Sequence, residues 1–133
     1  MSLFYLDTSA AIKLLVEESH SRAFAKFYDM HAGSTWVSSS LLRIEMIRAV
    51  GLALPSALPD ARDLLDAFEF IAMDDDVVQR AMDEPDRMLR SLDAIHLATA
   101  RILVPDLDGF ATYDDRLAAA AQEAGLAVAS PRD

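Results

Sequence analysis

Short apolar runs rich in aromatic and branched residues alternate with helical patterns along almost the whole chain, and this alternation restricts the fold more than any other feature. Residues 4–6, 35–37, 68–73, 110–113 and 126–129 have the composition of buried strands. Between them apolar residues recur at helical spacing. They do so at Ile12, Leu15 and Val16, over residues 19–30, from Leu41 to Val50, and over residues 61–67, 74–82, 91–104 and 115–125. Strand and helix repeated in this order predict right-handed βαβ crossovers and a mostly parallel sheet between helical layers, a three-layer α/β/α fold.

The junctions carry matching signals. Thr8 or Ser9 can cap the first helix, Ser38 to Ser40 the third, and Ser91 the helix SLDAIHLATARILV. His31, Ala32 and Gly33 read as a helix stop, and Gly125 closes the last helix. Residues 54–59, with two prolines, read as the most loop-like passage. A length of 133 residues, 53% of them hydrophobic, fits one domain with a core of its own. The absence of cysteine excludes disulfides and thiolate metal sites. No apolar run approaches the roughly 20 residues that cross a bilayer. A soluble, cytoplasmic protein is the expectation.

Twelve Lys and Arg against 22 Asp and Glu give a formal charge of −10. That balance opposes a broad nucleic-acid surface and favours divalent cations or a basic protein partner. The acids are also placed with some regularity. Asp7 follows the first strand, Glu45 lies early in the helix after the second, Asp93 sits near a helix start, and Asp114 follows the strand at residues 110–113. Ligands of open α/β sheets gather outside the carboxyl ends of the strands. Carboxylates gathered there repel one another unless a cation holds them, and oxygen-only ligands suit magnesium or manganese. The chemistry implied is metal-assisted phosphodiester hydrolysis. Taken singly, each acid has a plainer explanation: an Asp at a strand end or helix start ordinarily caps the helix or complements its dipole, and Glu45 can pair with Arg43 or Arg48.

Four passages, YLDTSA, RIEMIRA, SLDAIHLATA and TYDDRLAAAA, in this order and at these intervals, resemble the acidic motifs of the PIN-domain nucleases, and more narrowly the VapC toxins of bacterial type II toxin-antitoxin pairs. The resemblance spans nearly the whole chain. It implies a single PIN domain over residues 1–133 and a toxin-like endoribonuclease, often directed at transfer or ribosomal RNA. Asp7, Glu45, Asp93 and Asp114 match the acidic set that binds Mg2+ or Mn2+, with Asp7 and Asp93 foremost. Asp114 is chosen over Asp115 because the family's acid directly follows a pair matching Thr112-Tyr113. Thr8, Ser9 and Thr112 match small polar positions beside the site. The resemblance further implies a VapB-like antitoxin, homodimers or heterotetramers or larger assemblies with that antitoxin, no membrane attachment, and DNA contact made by the antitoxin rather than by this chain.

Other features are weaker pointers. His96, three residues after Asp93, can face the acids but lacks the partners of a triad, so packing or a hydrogen bond is its expected role. Arg87 or Arg90 can clamp a phosphate, although pairing with Asp83, Glu84 and Asp86 is the plainer role for the local arginines. Trp36 is expected in the core. Two other function classes compete with the nuclease: a catalytically inactive PIN-like module that binds RNA or protein, and a phosphotransfer domain with Asp7 as acceptor. The second lacks a Gly-rich phosphate loop and a strand-end lysine.

Overall fold

A computed structural model describes residues 2–133. Five strands, β1 (Leu3–Leu6), β2 (Thr35–Ser39), β3 (Glu69–Ile71), β4 (Gly109–Ala111) and β5 (Val128–Ala129), form one sheet in the order β3-β2-β1-β4-β5. Every neighbouring pair is parallel, so the sheet is wholly rather than mostly so. The helices are α1 (Thr8–Ala11), α2 (Ser21–Met30), α3 (Leu41–Ala53), α4 (Leu58–Leu65), α5 (Asp75–Met82), α6 (Ser91–Ile102) and α7 (Asp115–Glu123).

β1 is the middle strand, and its side chains alternate between two cores. Phe4 and Leu6 join Phe24 of α2, Trp36 of β2, and Leu42, Met46 and Val50 of α3. Tyr5 points the other way, to Leu97 of α6, Phe110 of β4 and Leu117 of α7. Trp36 is thus in the core as expected, its ring stacked on Phe4 with centroids 4.9 Å apart. Burying each such side chain contributes about 1.5–3 kcal/mol, and together the two clusters fix which face of β1 meets which helical layer. Gly109 pairs with Phe4 across the sheet, and a Cβ there would lie 2.8 Å from the Phe4 ring, so the close approach needs glycine.

From β1 the chain moves outward through β2 to β3, then returns to lay β4 against the other side of β1. This reversal leaves a crevice at the carboxyl ends of β1 and β4, the place where doubly wound sheets bind their ligands. Among the described residues no helix is long and apolar enough to cross a membrane.

Several boundaries differ from the sequence expectation. The loop-like residues 54–59 form a 3-10 turn, Pro55–Ala57, that runs into α4; both prolines occupy first-turn positions, where the missing amide costs nothing. Ser91 is the first residue of α6 rather than its cap, since extended Arg90 holds the capping position. Neither Thr8 nor Ser9 caps α1, because Asp7 does so itself. That helix is a single turn continued by a 3-10 turn, Ile12–Leu14.

Candidate active site

Asp7 leaves β1 in extended conformation and caps α1, its Oδ1 accepting the Ala10 amide at 3.0 Å and the Ser9 hydroxyl at 2.7 Å. Its Oδ2 accepts the Thr112 hydroxyl at 2.6 Å, from the end of β4. The Thr112 oxygen in turn accepts the Asp114 amide at 3.1 Å, so one hydroxyl ties the ends of two adjacent strands together. Ser9 repeats the link, accepting the Tyr113 amide at 2.8 Å. Asp7 is only 3% exposed. Burial raises its pKa, and the nearby His96 with the Thr112, Ser9 and Ala10 hydrogen bonds opposes that rise without cancelling it.

Glu45, in the first turns of α3, comes to the same edge. Its Oε1 accepts the Thr8 hydroxyl at 2.7 Å and lies 2.7 Å from His96 Nε2. Burial works against its charge, but the His96 hydrogen bond, His96 proximity and the Thr8 hydroxyl outweigh burial, and its pKa is lowered. His96 is buried on α6, one turn beyond Asp93, and its other ring nitrogen meets the Tyr5 hydroxyl at 2.6 Å.

Asp93 is the contrasting member. It stands half-buried in the first turn of α6, and its carboxylate takes no hydrogen bond from any described residue. Its pKa is raised by burial first, then by the charges of Asp114 and Asp7, with Glu45 adding to them and His96 opposing. The charges of Asp7, Glu45 and Asp114 therefore all reach Asp93. Asp114 caps α7, accepting the Leu117 amide at 2.9 Å, while the side chain of Asp115 is 96% exposed and only 3.8 Å from Arg132.

The donor set fits a hard divalent cation: oxygens only, mutually repelling, with Asp93 unpartnered and Oε2 of Glu45 likewise free of hydrogen bonds from described residues. Among the described residues no three acid or histidine side chains form a finished metal cage. The acids share an edge without being drawn onto one point.

The PIN domain family model matches residues 4–128. Ribonuclease VapC35 of Mycobacterium tuberculosis is 38% identical over 131 residues, covering 97% of this chain and 97% of that protein. Ribonuclease VapC46 of the same organism is 40% identical, over 98% and 99%. This chain belongs to the PIN-domain family, among the VapC ribonucleases. The fold of this VapC-family chain is also that of a toxin-antitoxin complex component from Klebsiella pneumoniae, with a TM-score of 0.72 at 20% identity over 100% and 99% of the two chains. A chain of VapBC2 from Rickettsia felis, solved bound to a promoter DNA fragment, matches at 0.71 and 12% identity over 96% and 97%.

The arginines around Asp93 in this VapC-family chain are mostly engaged elsewhere. Arg101 makes two bonds to buried Glu84 at 3.1 and 3.3 Å, Arg80 pairs with Asp76, and Arg87 donates to the Met82 carbonyl. Sequence reasoning weighed Arg43 and Arg48 only as partners for Glu45 and passed over the groove they line. Arg43, Arg48 and Arg62 line a groove of about 920 Å³ with Ile44 and Ile47 of α3. It also passed over Tyr5, read only as a core residue. The spacing of Asp93 and His96 was the available signal, since residues three apart share a helix face.

Proposed function

We propose that this chain is the toxin of a VapBC-type pair, a divalent-metal-dependent endoribonuclease restrained by a VapB-like antitoxin. The observation that supports it best is the gathering of Asp7, Glu45, Asp93 and Asp114 at the crevice beside β1 and β4, with Asp93 left without a hydrogen-bonding partner. Those four residues would hold Mg2+ or Mn2+, which when bound polarises a phosphoryl oxygen and makes water a better nucleophile.

The chain's own residues supply placement. Ser9, Thr112 and the Ala10 amide fix Asp7, and Thr8 and His96 fix Glu45, so these carboxylates are oriented before substrate arrives. The groove holding Arg62 together with Arg43 and Arg48, which share the helix that carries Glu45, offers guanidinium groups to RNA phosphates in an otherwise acidic protein. Water as nucleophile leaves a 5′-phosphate and a 3′-hydroxyl. The −10 charge suits a basic antitoxin segment that reaches the acids, and exposed Ile44 and Leu52 on α3 supply apolar surface for antitoxin or a second copy. The site of action is the cytoplasm, and this chain makes no DNA contact of its own.

One observation favours a second reading, a PIN-like docking module without turnover: three lone pairs of Asp7 are already taken by protein donors and no metal cage is preformed. A cleavage assay separates the two. Purified protein with Mn2+ is expected to cut structured RNA into 5′-phosphate products and to stop in excess chelator. Products ending in 2′,3′-cyclic phosphate, or full activity in chelator, would overturn the metal-dependent mechanism.

A further inference from the structure

Tyr5 and His96 are 0% and 1% exposed, and both are wired to the acidic edge. The Ser39 amide at the end of β2 donates to the Tyr5 oxygen at 3.2 Å, the Tyr5 hydroxyl meets His96 Nδ1 at 2.6 Å, and His96 Nε2 meets Glu45 Oε1 at 2.7 Å. The partners determine where the protons lie. An ionised Glu45 oxygen only accepts, so Nε2 carries a hydrogen. With Nε2 donating to Glu45, an Nδ1 that accepts the Tyr5 hydroxyl at 2.6 Å gives each of the three side chains a partner. Burial also pushes the Tyr5 phenol above its ordinary range, which keeps the proton on the phenol.

We propose that Tyr5 and His96 are positioning residues acting in series on the acidic cluster: the phenol fixes the ring's orientation, and the ring holds Glu45 by Oε1 so that Oε2 is presented to a divalent cation. The inference rests on the metal-dependent reading above. Without the ring, a Glu on the surface of α3 has three rotatable bonds and only the Thr8 hydroxyl to hold it. Partners that orient a ligating side chain in this way change metal affinity by about 10–100-fold.

The test uses the full chain without added metal, then titrated with Mn2+ by calorimetry. His96→Asn keeps an acceptor near Tyr5 but cannot reach Glu45, and Mn2+ affinity should fall about tenfold or more. His96→Gln places an amide N–H toward Glu45 and should recover most of that loss. Tyr5→Phe should weaken Mn2+ binding in the wild-type background and add little to His96→Asn. Equal losses in His96→Asn and His96→Gln, or a Tyr5→Phe effect that adds fully to His96→Asn, would overturn the series and leave both residues as core packing. If His96→Asn does not fold, Tyr5→Phe decides alone, with unchanged affinity against the proposal. Ring 15N shifts of His96 in the metal-free protein give a readout independent of metal: Nε2–H in wild type, with the Nδ1 shift moving when Tyr5→Phe removes its hydrogen bond. A wild-type protein that shows Nε2–H yet binds no Mn2+ overturns the metal-dependent reading and, with it, the step from Glu45 to the cation. A wild-type ring lacking the Nε2–H tautomer overturns the relay alone.

Discussion

Asp7 after β1 and Asp74 after β3 do the same local work: each caps a helix by accepting the amide three residues on, Ala10 or Val77, at 3.0 Å. Asp7 is nonetheless buried, tied by Thr112 to the neighbouring strand and close enough for its charge to reach Asp93, whereas Asp74 stands exposed with the cap as its side chain's sole hydrogen bond among the described residues. Strand order separates them. β1 lies at the centre of the sheet with β4 beside it, so the caps that follow those two strands are neighbours; β3 is an edge strand. An aspartate cap contributes about 1 kcal/mol wherever it occurs, but only at the reversal of strand order do caps become a cluster. Capping and metal binding are therefore not rival accounts of Asp7 and Asp114. The cap fixes the carboxylate, and topology decides what it faces.

Replacement by Asn sets the two junctions against each other most sharply, since Asn caps as well as Asp but carries no charge. Asp7→Asn and Asp93→Asn should each lower RNA cleavage by at least about 100-fold, equivalent to about 2.7 kcal/mol of transition-state stabilisation. Asp74→Asn should leave the rate within about twofold, as for a surface substitution away from any site. Single-turnover cleavage rates read beside thermal melts decide the matter. An Asp74→Asn protein as impaired as Asp7→Asn would erase the distinction between central and edge caps.

The sequence carried the local half of this contrast and not the other. Asp7, Asp74 and Asp114 each stand at a strand end before a helical pattern, so their junctions were readable from short-range pattern alone. Which junctions meet depends on strand order, and strand order is a long-range property that periodicity does not encode; junction placement pointed to Asp7 and to Asp114 or Asp115, and the family resemblance chose Asp114. Short apolar runs also overstated strand length, since residues 68–73 pair only over Glu69–Ile71. Tyr5 was legible as buried but not as a hydrogen-bond donor, because its partner His96 lies 91 residues away. The prolines near residue 55 misled for a local reason: they mark a helix start as readily as a loop.

A smaller effect, in stability, sharpens the comparison through pH. Asp7 and Asp93 have pKa values raised in the folded protein, chiefly by burial. An acid with a raised folded pKa contributes stability that is fully present below its unfolded pKa and is lost as pH rises through the folded one. In metal-free protein at neutral pH, Asp93 is thus a cost to folding, and Asp93→Asn should melt higher than wild type. That advantage should shrink as pH is lowered from neutral toward the ordinary aspartate value, because the wild-type carboxyl takes up its proton before that value is reached. Glu45 has the opposite sign. Its lowered pKa contributes stability above the ordinary glutamate value, lost only as pH falls through the lower folded one, so it does not mask the trend over most of this range. An Asp93→Asn protein that melts below wild type at neutral pH would show that Asp93 supports α6 rather than straining it.

The smallest expected effect tests the boundary of the cluster at Asp115. Asp114 and Asp115 differ by one position, yet the first caps α7 and adds to the repulsion on Asp93, while the second projects into solvent at 96% exposure with Arg132 at 3.8 Å. An ion pair that loose and exposed contributes almost nothing, because water and salt screen it and both side chains lose freedom to form it. Asp115→Asn should therefore change stability by less than about 0.5 kcal/mol and cleavage by less than about twofold. Asp114→Asn keeps the cap and should fall with the Asp7 and Asp93 variants. Should Asp115→Asn be the one that loses cleavage, the acid that matters would be a side chain free to swing inward rather than one fixed by the helix start, and the rule that caps at the central strands form the site would fail at β4.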